Sequence, residues 1–257
     1  MLIARAVAVL AVTLAPPAAS GAAEHGPDAP AELEALLTRA DADYGRRDEP
    51  GQLDVVRQDL EAAEKLAPGD YGVLWRLSRF YFWVSDDPDL SEDDRSQLGK
   101  KGWDYGDRAT AVNPAGVEGW FFAVGGMGNY SLGIGILKAL AQGVEGKFKE
   151  RLRKAQEIDG RFLNGGIENA WGRFYFKLPW PKYDPGESER HLLAALRINP
   201  ENVRGRVYLA ELYEKEHHPR EARVQLERAI AKPPGLYDGP EERRYQRLAK
   251  ALLAQLH

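Results

Sequence analysis

The chain has 257 residues, with 35 lysines and arginines against 39 aspartates and glutamates, a net charge of −4 and no cysteine. That length suits one large domain or an elongated repeat array. Lack of cysteine excludes disulfides, a thiol nucleophile, Cys-ligated zinc and a lipid-modified cysteine, and a mildly acidic chain without a basic tract argues against nucleic acid as a partner.

The first element in chain order is an apolar stretch, Leu2–Leu14, in which Arg5 is the only charge before Glu24. It is too short to span a bilayer, which takes roughly 20 residues. Small residues follow, and Ser20-Gly21-Ala22 or Gly21-Ala22-Ala23 would suit a signal peptidase. The expectation is an export signal over 1–22, a flexible segment over 23–30 and a single helical domain over 31–257, with an uncleaved anchor or tail as the alternative. No later stretch is apolar enough for a transmembrane segment, so the mature chain is expected in the periplasm or cell envelope.

From residue 31 onward almost every segment between glycine or proline breaks has helical period, and none alternates like a strand. Helices are predicted over 31–47, 52–66, 70–85, 91–112, 115–129, 131–142, 144–158, 165–178, 187–198, 202–216, 219–231 and 241–256. Ser91 with Asp94 reads as a capping box with acid at the positive helix end. Five glycines in Gly125–Gly135 interrupt the period. The prolines of Lys177–Gly186 demand a rigid loop. These two segments are expected to carry extra repeat length on a binding face.

Five of these helices close on a repeated pair: Ala63/Pro68, Ala109/Pro114, Ala155/Gly160, Ala195/Pro200 and Ala229/Pro234. A small residue lets two helices approach, and proline cannot continue the helix before it. Pro200 and Pro234 stand one tetratricopeptide (TPR) period of 34 residues apart, and the earlier exits lie further apart. With Val203 as position 1, Leu209, Ala210 and Tyr213 fall at positions 7, 8 and 11, and Ala222, Leu226 and Ala229 at 20, 24 and 27. Only position 4, Arg206, departs from the TPR pattern. Counting from Pro68 puts Leu74, Leu77, Ser78 and Tyr81 at 4, 7, 8 and 11. The predicted fold class is all-α, of TPR-like stacked antiparallel helical hairpins with about twelve helices and irregular repeat lengths.

Signals for catalysis fail on inspection. Ser131 lacks the first glycine of a nucleophile elbow and no strand precedes it. Gly128–Gly133 has no following Gly-Lys-Ser/Thr. Asp87, Asp89, Ser91 and Asp93 alternate like calcium ligands, but Glu92 replaces the required glycine and Leu98 the closing glutamate. His217-His218 has no third spaced ligand. No catalytic residue, metal site or cofactor is expected, and the chain is not expected to be an enzyme.

Aromatic runs are more informative. Phe80–Trp83, Trp120–Phe122 and Phe174–Phe176 each lie in the first helix of a hairpin, which is then apolar around most of its circumference. Positions 2, 5, 9, 12 and 13 of that helix face the groove of a TPR array. The register sends Trp75, Arg79, Phe82 and Trp83 there from the first unit and Phe121 from the second. With Gly172 at position 8, it sends Asn169, Arg173 and Phe176 from the third. An aromatic-walled cleft with a few polar groups suits a small molecule, and the guanidinium forks of Arg79 and Arg173 suit a carboxylate. The alternative reading pairs both arginines with acids such as Asp86 or Glu168 and makes the aromatics ordinary core.

From Ser91 onward the chain resembles the T-component (TatT) family associated with TRAP transporters. The resemblance rests on Asn113-Pro114, Glu118-Gly119-Trp120, Leu137–Leu140, Phe148-Lys149, Ile158-Asp159, Phe162 and Gly165-Gly166. It continues through Ala170–Tyr175, Leu178-Pro179, Ser188, Leu192, Ala195, Asn199-Pro200 and Tyr208–Glu211. It implies an all-helical periplasmic or outer-envelope protein with a ligand cleft. It also implies association with the substrate-binding protein of a TRAP-type uptake system for organic acids. Members are often lipoproteins, whereas this chain has no cysteine to acylate. The expected function is therefore a non-catalytic auxiliary binding protein. Its partners would be a small hydrophobic or carboxylate-bearing solute, a TRAP substrate-binding protein and further copies of the chain. The alternative is an envelope scaffold whose groove takes a peptide or partner helix.

Overall fold

The computed structural model describes residues 29–235 and 237–256; the expected export signal and its cleavage site lie outside them. Twelve α-helices, and no strand, are found among the described residues. They are α1 (Ala29–Tyr44), α2 (Gln52–Leu66), α3 (Tyr71–Ser85), α4 (Glu92–Val112), α5 (Val117–Ile134) and α6 (Ile136–Ala141). The remainder are α7 (Val144–Ile158), α8 (Phe162–Lys177), α9 (Pro185–Ile198), α10 (Val203–Lys215), α11 (Pro219–Ala231) and α12 (Gly239–Gln255). Neighbours in sequence pack as antiparallel hairpins, α1 on α2, α3 on α4, α8 on α9 and α10 on α11, and α4 on α5 and α9 on α10 link successive hairpins.

The alanine–proline punctuation has a direct structural meaning. Ala63, Ala109, Ala155, Ala195 and Ala229 are all fully buried. The carbonyls of the first four also accept the N–H of the residue that ends each helix, Ala67, Asn113, Asp159 and Asn199. Three of those end residues precede a proline, whose ring forbids them the helical region and drives the chain into an extended exit. Entries are equally specified. Asp70, Ser91, Asp184, Asn202 and Asp238 each cap a helix by accepting a first-turn N–H on the side chain, a contact that contributes about 1 kcal/mol apiece.

Helix α5 departs from expectation. It runs unbroken through the glycines that were expected to interrupt it and stops only at Gly135, whose φ is 88°. The reason is its closeness to α4. A Cβ added at Gly126 would lie 2.7 Å from the Gly99 carbonyl oxygen, and one at Gly106 would lie 2.6 Å from the Ala123 Cβ. The glycines cost helix propensity, about 1 kcal/mol each relative to alanine, but they let two backbones touch along the helix pair. The extra length of this unit therefore sits in helix. At the start of α8, Leu163, Asn164 and Gly165 have positive φ, so the regular helix begins beyond them, close to the predicted start at residue 165. Gly172 takes the small position assigned to it: Ser188 Oγ donates to its carbonyl at 2.9 Å, and a Cβ there would meet Leu192 Cγ at 2.6 Å.

Buried side chains form three clusters, one on α1–α3, one on α4–α8 and one on α9–α12. Helix α12 reaches the first hairpin by polar side chains. Arg47, in the α1–α2 turn, donates to Asp238 at 2.6 Å, and Arg243 donates to Asp48 at 2.6 Å. Arg244 donates to the Trp83 carbonyl at 3.0 Å. The end of the array is thus clasped to its beginning.

Candidate functional site

That closure leaves a partly open cavity of about 880 Å³. Its walls come from α5, α8 and α10, from the end of α3 and the start of α4, from α6 and α7, and from α12. Part of its wall is apolar, from Phe121, Val124, Leu132, Ile136, Leu140, Phe148 and Phe174. Gly128 also lines the cavity, and an added Cβ there would have no neighbour within 4 Å.

Another part of the wall is a polar network. Arg204 donates to Asp86 at 3.3 Å and to Glu241 at 2.8 Å. Tyr245 donates to Asp86 at 3.1 Å and shares a 2.9 Å contact with the Tyr208 hydroxyl. Arg173 stacks over Tyr208 at 4.2 Å and donates to Glu211 at 2.5 Å. Burial pushes the Glu241 carboxyl up against the pull of Arg204, whereas Lys149 and Lys182 hold Glu145 down. Lys177, in the last turn of α8, also lines the cavity. Burial, and then the charge of Arg173, lower its ammonium to about 8.

Of the eight residues predicted to line a ligand groove, Phe82, Phe121, Asn169 and Arg173 line this cavity. Asn169 spends its amide N–H on the cap residue Asn202 at 3.1 Å. The other four lie outside the lining. Trp83 is 3 % exposed and held between the guanidinium groups of Arg47, at 4.1 Å, and Arg244, at 3.3 Å. Trp75 stacks on Phe122 with centroids 6.2 Å apart. Arg79 lies over the Tyr44 ring and donates to Asp41 at 2.5 Å. Phe176 packs on the α9–α12 cluster with Arg173, Lys177 and Lys215 over its ring. Both predicted arginines therefore carry acid partners, but not the acids anticipated: Asp86 is taken by Arg204 and Tyr245, and Glu168 by His191 at 2.6 Å.

Sequence reasoning missed Arg204, Glu211, Tyr208 and the whole α12 wall. The first two were within reach. Carrying the groove positions into the last hairpin, with Val203 at position 1, puts Arg204 at position 2 and Glu211 at position 9. Glu211 thus meets the Arg173 of the preceding unit at the same register position. Tyr245 and Leu248 had no such signal, because α12 follows the last repeat and its seat depends on how far the array curves. The calcium-like acids act locally: the Asp87 side chain accepts the Asp89 N–H, and Ser91 caps α4. Among the described residues no group of acids and histidines is placed to hold a metal, and no helix is long and apolar enough to cross a membrane.

No protein-family model matches the chain, and no curated protein matches it in sequence. Among solved structures it is similar to a thermophilic TPR protein of Thermus thermophilus, with a TM-score of 0.65 at 18 % identity over 86 % of this chain and 99 % of that one. The pilF protein of Pseudomonas aeruginosa superposes with a TM-score of 0.54 at 14 % identity, covering 89 % of this chain and 93 % of that one. At such identities the likeness speaks for the fold alone: the chain is a TPR-like helical repeat protein.

Proposed function

We propose that the protein is a non-catalytic binding protein that holds a small solute, apolar over most of its body and carrying an acid group, inside the central cavity. One observation carries this reading: the repeat array closes on itself around a partly open cavity whose wall combines aromatic and aliphatic side chains with a charged network, the usual form of a small-molecule site. Phe82, Phe121, Asn169 and Arg173 are the proposed contacts from the predicted set.

The resemblance to the TatT family supports a more specific role, an auxiliary periplasmic component of a TRAP-type uptake system for organic acids or hydrophobic solutes, docking on its substrate-binding protein. Native mass spectrometry of protein taken from its own envelope would report bound solute, partner and subunit number together. A terminal sequence starting at Met1 would overturn the export proposal, which places a cut between Ser20 and Glu24.

The cavity itself is tested at Gly128. A phenylalanine there projects into free space and removes no backbone freedom the helix needs. Gly128→Phe should keep the thermal midpoint and abolish uptake of an apolar probe such as N-phenyl-1-naphthylamine. Unchanged uptake would place binding elsewhere. A second reading, a protein-interaction scaffold, is favoured by Trp180, which stands 87 % exposed between Pro179 and Pro181. Loss of partner capture on Trp180→Ala, with probe uptake intact, would support it.

A further inference from the structure

The cations that line the cavity are not equivalent. Arg173 is held by Glu211 and Arg204 by Asp86 and Glu241. Arg95 donates to the carbonyls of Ser85 and Asp87, and Arg244 to that of Trp83. Arg247 lies toward the rim. Lys177 and Arg247 are the lining cations whose side chains make neither hydrogen bond nor ion pair to the chain among the described residues, and of the two Arg247 is exposed whereas Lys177 is partly buried. Lys177 sits on the cavity wall, and no carboxylate among the described residues lies within ion-pair distance of its ammonium, which lies over the ring of Phe176, 5.2 Å away.

The charges facing it are Arg173 on its own helix, Glu211 and Lys215 from α10, and Arg95 from α4. Glu145 lines the same cavity from α7, but Lys149 and Lys182 already engage it. Glu211 is likewise engaged, by Arg173. The balance around Lys177 is positive, in a partly desolvated place where an unpaired charge is costly. One turn away along α8, Phe174 begins the apolar wall.

We propose that Lys177 is the anchor for the acid group of the bound solute, a monoanion such as a carboxylate or sulfonate on an apolar body, with the body lying against Phe174, Phe148 and the open face at Gly128. This rests on the cavity being the binding site. Arg173, Arg204, Arg95 and Arg244 are spent on holding the array together; the lysine supplies a partly buried charge left over for a ligand. Its ammonium titrates near pH 8 in the free protein. An anion that binds the charged form is therefore held most tightly below that pH and released as pH rises through it.

Two fluorescent probes separate the proposal from the reading beneath it. N-phenyl-1-naphthylamine and 1-anilinonaphthalene-8-sulfonate share one aromatic body and differ by the sulfonate, which stays ionised throughout the range used. At about pH 6.5 the Lys177→Met variant should bind the sulfonate about tenfold to a hundredfold more weakly than wild type, the span of a lost charge-assisted contact. It should bind the neutral probe unchanged, and Lys177→Arg should recover most of the sulfonate affinity. Wild-type affinity for the sulfonate should fall toward the Lys177→Met value by about pH 10, while that variant stays flat. If both probes bind wild type and Lys177→Met is indifferent to the sulfonate, the anchor is wrong and the cavity reading stands. If neither probe binds wild type, or Gly128→Phe displaces neither, the cavity reading fails and the anchor with it. Thermal melts of each variant show that the fold is retained.

Discussion

Single residues divide the two arginines that the repeat register treats alike. Arg79 and Arg173 share position 9, yet Arg79 lies with Arg76 on Asp41, away from the cavity, while Arg173 lines it against Glu211. Arg79→Met leaves Asp41 with Arg76, so the loss should be modest, about 1 kcal/mol, with probe affinity unchanged. Arg173→Met leaves Glu211 half-buried and unpaired. It should cost more, about 1–3 kcal/mol, and calorimetry beside probe titration separates stability from affinity. Asp41 adds a pH signature. Burial would raise its carboxyl, but Arg76 and Arg79 together outweigh burial and hold it below 3.8. A depressed carboxyl contributes stability above its unfolded value and loses it as pH falls through the folded one. Melting temperatures of wild type should therefore drop below about pH 4, and Asp41→Asn should flatten that part of the profile. An unchanged slope would show that Asp41 carries no such linkage.

Helices are where the sequence speaks most plainly and where its one misreading is instructive. A buried alanine, a cap residue in extended geometry and a following proline recur as a unit, because each satisfies a local requirement that the residues themselves state. The glycines of α5 state two things at once: local freedom to break a helix, and permission for another backbone to come close. Which meaning holds is decided by α4, whose own Gly99 and Gly102 lie against Gly126 and whose Gly106 lies against Ala123. Gly106→Val should overpack that seam and cost about 1–3 kcal/mol or more, lowering the thermal midpoint by about 2–4 °C per kcal/mol. Gly172→Leu should do the same to the α8–α9 hairpin. A variant that melts with wild type would show that its seam has room to open.

At the scale of the whole molecule, the proposed function depends on closure. The clasp of α12 on the first hairpin is made by ion pairs and hydrogen bonds, with Trp83 sandwiched between two guanidinium groups. The Arg243–Asp48 pair is partly exposed and contributes about 0.2–1 kcal/mol, so this edge of α12 is expected to open more readily than the hairpins it covers. Asp48→Arg sets two like charges together at Arg243. It should raise hydrogen exchange across α12 about fivefold, the effect of about 1 kcal/mol, while the α3–α4 amides stay protected, and the swap Asp48→Arg/Arg243→Asp should reverse it. Uniform exchange across both regions would mean that closure is not a separate event. Arg243 holds the Asp48 carboxyl below 3.8 by hydrogen bond and charge, so this part of the clasp should also weaken as pH falls through that range.

The sequence by itself determined the helical class, the hairpin boundaries, the small positions where helices touch and, of the eight residues assigned to a ligand groove, the four that line the cavity. Each of these follows from local sterics and a 3.6-residue period, which a chain carries along its length. Only the tertiary structure decided that the array closes, that α12 supplies the missing wall, and which charges are consumed by one another. Arg47 meets Asp238 and Arg204 meets Asp86 across sequence separations of 191 and 118 residues. Pairings at that distance depend on the accumulated curvature of every hairpin between them, and no single segment encodes that sum.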